Sequence, residues 1–359
     1  MLSRSKPDLV SAEQSRSWLD EMITLAQEEN PLIAARAYYE RARWTMRYHN
    51  ADDSSIEDDL ATAQKYAAAA GGPDGARRNA WCLYQRSTRA LWRWDWTQAQ
   101  SLARAASTEF DDLGEHHGRL ASQIVGARAE LALGKVAAAY DQLAEVVESA
   151  KRYGYKRQIA DGLFWWGQAK ILKDEADARE ILDAAADLYS ELGDQDWSAV
   201  AKASAETAPF ITGEMDAAAA RSLRKELEKT SAEIEKSTDT VSSPAHYWKA
   251  ASINRRIAVL SAVAGDEQRA ERAWKRALAD YTESDSAEGV AETLASYWLA
   301  NKIDPAEPSA DVPSDDDMRA VAEQWDLTVP DRTIDLAVAE VSRVQSDPVD
   351  SIKHLLTYG

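Results

Sequence analysis

The sequence predicts an all-α chain in which antiparallel helix pairs stack into a solenoid, and three observations lead there. The first is a stamp of three apolar positions spaced i, i+4, i+7. It reads Ala99, Ala103, Ala106; Ala139, Leu143, Val146; Ala178, Leu182, Ala185; and Ala270, Trp274, Ala277. The first three copies lie 40 and 39 residues apart, and the fourth lies 92 further on, room for one more unit plus an insertion. A period in this range marks stacked repeats, each shielding the apolar side of the next. The second observation is composition: Gly at 15 and Pro at 10 are scarce in 359 residues, and Ala is abundant, which favours helix. The third is that β-branched and aromatic residues never gather into alternating runs bounded by turns.

The elements follow in order. A first helix runs from about Ser11 to Glu29, and Pro31 opens the next, over 31–49. Asp52 and Asp53 supply an acidic cap for a helix reaching about Ala70. Gly71, Gly72 and Pro73 break the chain before a helix at 75–93. Tight joints follow at Trp94-Asp95-Trp96, Gly134-Lys135, Lys173-Asp174-Glu175, Gly213-Glu214 and Gly265-Asp266-Glu267. There the first helix of a pair reverses into the second, with a Gly or Asp suited to the turn. Gly114, Gly154 and Gly193 mark the outer turns between pairs. Residues 230–245 read as a Ser/Thr-rich interruption, and 303–316 as an acidic, Pro-containing linker without helical period. Short helices at 315–326, 332–346 and 348–357 then form a cap over the open end of the stack. The expected organisation is a capping helix in 1–30, about seven helix pairs in 31–302, and linker plus capping helices in 303–359.

This pattern resembles the tetratricopeptide repeat. In that family a small residue early in the second helix lets the two helices approach, and a larger apolar residue four positions on locks them. Ala270, Trp274 and Ala277, within AGDEQRAERAWKRALA, form the best copy, whereas the pair near 196–229 matches poorly. The period near 40 is similar to the variety in bacterial regulators of the maltose-activator type and in Rap-like pheromone-binding proteins. The resemblance covers roughly residues 32 to 300 and implies a right-handed superhelix whose first helices line a concave wall.

Net charge is −19, which argues for solubility and against attraction to nucleic acid or anionic membrane. No apolar run approaches membrane-spanning length. The segment MLSRSKPDLVSAEQ lacks the apolar stretch of a signal peptide, and the single cysteine, Cys82, fits a reducing compartment. The expected location is cytoplasmic, and the Arg- and Ala-rich composition points to a bacterial or archaeal source. No phosphate loop, dinucleotide fingerprint or nucleophile elbow is present. The five histidines, His49, His116, His117, His246 and His354, make no metal signature. The expectation is no enzyme activity, no cofactor and no metal; Cys82 reads as core packing.

Two features point to binding. Thirteen Trp and 13 Tyr stand against 3 Phe, with Trp44, Trp81, Trp92, Trp94, Trp165, Trp166, Trp248 and Trp298 in first helices. They fill gaps between stacked pairs, or they anchor a bound segment. Arg36, Arg43 and Arg47 form one basic stripe on a first helix, and Arg78, Arg86, Arg89 and Arg93 another. These arginines either pair with acidic second helices or line a groove for a carboxylate-rich segment, for which Arg offers planar bidentate donors. The candidate partner-binding set is therefore both stripes together with Trp81, Tyr84 and Trp165. The function expected is a non-catalytic adaptor or scaffold that receives a protein or peptide segment on its concave face. The alternative is a ligand- or peptide-responsive sensor that signals to a separate effector.

Overall fold

The computed structural model describes residues 12–27, 30–48, 53–212, 216–237, 244–284, 286–302, 312–325, 327–344 and 356. The reversal expected at Gly213-Glu214, residues 303–311 of the linker, and the helix expected at 348–357 apart from Leu356 lie outside these residues. Every regular element among the described residues is an α-helix. The chain divides into two compact units, Met1–Ala169 with Glu191–Gly193, and Lys170–Ser190 with Asp194–Gly359.

The first unit holds α1 (Ala12–Ala26), α2 (Pro31–Tyr48), α3 (Ser54–Ala70), α4 (Gly72–Trp92), α5 (Trp96–Asp112), α6 (His116–Ala132), α7 (Val136–Tyr153) and most of α8 (Lys156–Leu172). The second holds most of α9 (Ala178–Glu191), then α10 (Gln195–Thr212), α11 (Ala217–Ser237), α12 (Pro244–Val263), α13 (Glu267–Glu283), α14 (Ala287–Lys302), α15 (Asp315–Glu323) and α16 (Asp331–Val344). Sequential helices from α1 to α7 and from α10 to α14 pack on one another. Even-numbered helices also touch the next even one, α2 on α4 and α4 on α6 in the first unit, α10 on α12 and α12 on α14 in the second. A two-layer stack of hairpins produces this contact pattern.

The apolar stamp is the seam of each hairpin. All twelve stamp residues named from the sequence are buried. The structure adds two copies. In α3, Ile56, Leu60 and Ala63 are fully buried at the same spacing. In α11, Ala220 and Leu227 are buried with Arg224 between them at the large-residue position. Arg224 is held by Asp266 at 3.0 Å and Glu228 at 3.5 Å, so a buried arginine paired with two part-exposed carboxylates replaces the apolar lock there. This is the unit that the gap of 92 residues left room for.

The turns repeat as faithfully as the seams. Trp94, Gly134, Asp174 and Gly265 all adopt left-handed backbone, with φ of 55, 74, 55 and 72°. The residue after each donates its N–H five positions back: Asp95 to Ala90 O (2.9 Å), Lys135 to Glu130 O (2.8 Å), Glu175 to Lys170 O (3.0 Å) and Asp266 to Ser261 O (2.9 Å). This C-cap geometry satisfies carbonyls that the ending helix leaves open. Asp95 and Asp266 then cap the following helices, accepting from Gln98 N and Arg269 N.

Two boundaries differ from expectation. α4 begins at Gly72 rather than near 75, with Pro73 in its first turn, where a missing N–H costs nothing. Residues 230–237, expected to interrupt, belong to α11. Ser and Thr there suggested a loop, but both hydroxyls have partners within the packed helix. Thr230 donates to Glu226 O at 3.4 Å, and Ser231 donates to Asn254 of α12 at 3.2 Å. At the C-terminal end α14 carries α15 and α16, with Arg332 paired to Glu288 at 2.6 Å.

Between hairpins, close approach depends on an aromatic residue and a glycine eight positions apart. A Cβ on Gly118 would stand 2.5 Å from the Phe110 ring, and one on Gly289 would collide with the Tyr281 ring. Gly118→Ala should therefore destabilise the fold by about 1–3 kcal/mol through overpacking. In urea denaturation the pair Gly118→Ala with Phe110→Leu should cost less than the two single changes summed. Strict additivity would mean that the ring does not set the helix spacing.

Cys82 belongs to the core cluster of Tyr39, Ala42, Ile56, Leu60 and Ala63. Burial, only partly offset by Arg78 and Arg86, pushes its thiol up to about 12, so the folded protein keeps it protonated at neutral pH. The native protein should resist a thiol reagent at about pH 8 and react once unfolded in urea. Rapid labelling of the native state would show that this cluster opens.

Candidate functional site

The even-helix layer of the first unit has two faces, and α4 shows how they divide. Asn79 and Arg86 point toward the odd helices. Asn79 accepts from Gln64 of α3 at 2.6 Å and donates to Glu109 of α5 at 2.8 Å. Arg86 donates to Gln64 and pairs with Glu57, both on α3. Tyr84 lies two residues before Arg86, about 200° round the helix, and Trp81 lies about 140° round. Those two aromatics lie across the helix from Arg86, although both still pack on buried residues of α5.

On that face the first unit brings cations and aromatic rings together. Arg36 and Arg47 of α2 are exposed. Arg43 pairs with Glu40 at 2.8 Å, and its guanidinium lies 5.7 Å from the Tyr39 ring centre. Arg78 of α4 lies over the same ring at 4.9 Å. Trp81 stands edge-on to Tyr84 (5.4 Å) and to Phe110 (4.8 Å), with His117 of α6 at 5.8 Å. Arg128 of α6 sits 4.3 Å over Trp165 of α8, a close cation–π contact.

Tyr84 reports how closely these groups converge. Burial raises its phenol above the ordinary value, and the carboxylate of Asp161 on α8 raises it further. A hydrogen bond with Thr88 and the charges of Arg128 and Arg43 pull the other way. Charges from α2, α6 and α8 thus all act on one ring of α4. Asp161 is itself paired with Arg157 at 3.0 Å.

The second basic stripe divides. Arg78 leans toward α2, whereas Arg86, Arg89 and Arg93 enter a cleft of about 470 Å³ between α3 and α5, floored by α4. Glu57 holds Arg86 at 2.5 Å and Arg89 at 3.6 Å. Arg43 and Arg78 therefore meet on the Tyr39 ring, whereas Arg86 and Arg89 turn to Glu57 of α3.

The tryptophans are mostly half-buried. Trp44, Trp81, Trp92, Trp94, Trp165, Trp166, Trp248 and Trp298 all fall in this middle range, while Trp274 of the α13 seam is fully enclosed. Adjacent Trp165 and Trp166 separate, the first under Arg128 and the second 5.8 Å from Tyr140 of α7.

Sequence reasoning missed Arg128, Tyr39 and Glu57. The repeat register could have found Arg128, which stands 40 residues after Thr88. It also missed the buried pair Arg255 and Arg256 on α12 of the second unit. Arg255 reaches α14 through Ser296 (3.1 Å) and Glu292 (3.0 Å), and Arg256 reaches Ser204 of α10 at 3.1 Å. Burial and the neighbouring Arg255 push Arg256 down to about 10, so it stays charged at neutral pH.

Among the described residues no group of three or more His, Cys, Asp or Glu could hold a metal ion. Among the same residues no helix is long and apolar enough to cross a membrane. No protein-family model and no curated protein matches the chain.

Proposed function

We propose that the chain is a non-catalytic adaptor of tetratricopeptide-like, right-handed superhelical build, a regulatory scaffold of a bacterial cytoplasm. Its even-helix face in the first unit receives a protein segment bearing carboxylates. The observation that carries this reading is the mixed face itself. Arg36, Arg43, Arg47 and Arg128 share it with half-buried Trp81, Tyr84 and Trp165, in a protein whose net charge is −19.

Physical chemistry favours a segment over a deep-pocket ligand. Aromatic side chains supply contact area with little entropy to lose, and Arg supplies directed donors, the residue types that dominate binding hot spots. Rings already carrying a guanidinium are held in place before a partner arrives, which lowers the ordering cost of binding. An acidic partner would bring carboxylates beside the guanidinium groups that lie over Tyr39 and Trp165.

The test is selection from a display library of random peptides of about a dozen residues. Enriched peptides should carry Asp and Glu beside an aromatic or aliphatic residue, and binding should weaken as salt is raised. Arg43→Glu with Arg128→Glu should lower affinity at least about tenfold, with the helical circular dichroism unchanged. Enrichment of basic peptides, or full binding by the double variant, would sink the proposal.

A further inference from the structure

We infer that the outer face of α1 receives an amphipathic helix of a partner protein, one that carries a basic residue within its apolar stripe. This face belongs to an odd helix and does not depend on the peptide reading above.

Its place follows from the stack. Among the described residues α3 packs on both α2 and α4, and α5 on both α4 and α6, whereas α1 has only α2 as a substantial neighbour. On α3 the two sides are offset by two residues, about 200° round the helix. Glu57 and Gln64 reach Arg86 of α4. Asp59 and Tyr66 reach α2, through Arg41 at 2.8 Å and the Tyr38 ring at 5.8 Å. On α1, Arg16 reaches Thr45 of α2 at 3.3 Å, and Ile23 is buried. Two residues on from these stand Trp18 and Leu25. They occupy the side on which α3 takes its preceding even helix.

Trp18 and Leu25 are the two most exposed large apolar residues among the described ones, at 52% and 68%. Seven positions apart, they share one stripe, with half-buried Met22 beside it and Glu21 between them. Single exposed apolar residues are ordinary. A terminal helix of a stack, however, keeps its outer face polar when water is its only neighbour. The last hairpin helix, α14, is by contrast covered by α15 and α16.

Charge selects the occupant. Asp20 is already held by Arg16 at 3.2 Å and by Arg41 at 2.9 Å. Glu13 and Glu21 are exposed, and no ion pair reaches them among the described residues. A second copy laid on this stripe would bring Glu21 close to its own counterpart, a like-charge contact that disfavours pairing. A foreign helix with Arg or Lys between two apolar anchors instead sets a cation beside Glu21, as Arg41 of α2 meets Asp59 of α3. The 15 residues of α1 span about 22 Å, so about four turns of partner helix cover both anchors.

The experiment is selection against the full chain from a display library of single helices randomised along one face, then calorimetric titration of the enriched peptides. Enriched helices should carry apolar residues at helical spacing with Arg or Lys among them. Leu25→Glu should weaken binding at least about tenfold with helical circular dichroism unchanged. Glu21→Arg should weaken it too, and a peptide whose basic residue is changed to Glu should bind that variant again. A merely sticky apolar patch would not give that rescue. Arg43→Glu with Arg128→Glu should leave helix binding unchanged, so this site and the carboxylate-receiving face fail or succeed separately. No enrichment, enriched helices without a basic residue, full binding by Leu25→Glu, or no rescue in the charge swap would each overturn the inference. So would a dimer in sedimentation that Leu25→Glu dissolves, which assigns the face to a second copy. Binding that appears only once residues 1–11 are deleted would assign the face to the chain's own first residues, with the same result.

Discussion

Two helices can shield each other only if their backbones come close, and in this chain that approach is set at fixed register. An alanine opens five of the six seams named above and lets the paired helices meet, while Leu143, Leu182 or Trp274 fills the space beside it. At the outer turns the same need appears as an aromatic ring against a glycine, Phe110 on Gly118 and Tyr281 on Gly289. Interiors packed at crystal-like density tolerate little change at such contacts. The recurring left-handed C-cap at Trp94, Gly134, Asp174 and Gly265 then reverses the chain with the same backbone geometry each time. Each face of the layer inherits its spacing from these two features.

The seams and turns were legible in the sequence because both rest on residue types with few alternatives. Ala at i followed by apolar residues at i+4 and i+7 is an uncommon coincidence four times over, and Gly at a joint states its backbone. The α11 seam was not legible. Its central position is Arg224, which scores as a surface residue until Asp266 is seen closing over it. Ser and Thr near 230 misled for a related reason: their hydroxyls satisfy themselves inside a helix as readily as in a loop.

The candidate site was legible in composition and not in direction. Periodicity placed Arg36, Arg43 and Arg47 on one stripe and Arg78, Arg86, Arg89 and Arg93 on another, and in the structure Arg78 parts from the other three. It could not say which neighbour each stripe meets, because a helix enclosed by four others has two uncovered faces. Glu57 decides the matter for α4 by drawing Arg86 and Arg89 toward the odd helices. Arg128 pairs with Trp165 on a different helix; the repeat register gives its place on α6, but not the ring it meets. The adjacent Arg255 and Arg256 serve two different neighbours because consecutive residues diverge by about 100° on a helix.

One polar detail has a mechanical meaning. Gln64, Asn79 and Glu109 form a line of hydrogen bonds from α3 across α4 to α5. Apolar attraction has no preferred direction, but a directed bond loses its strength once bent well away from line. This tie makes the first unit stiff against splaying of α3 from α5, so a load that pulls those two helices apart meets directed bonds as well as apolar contact.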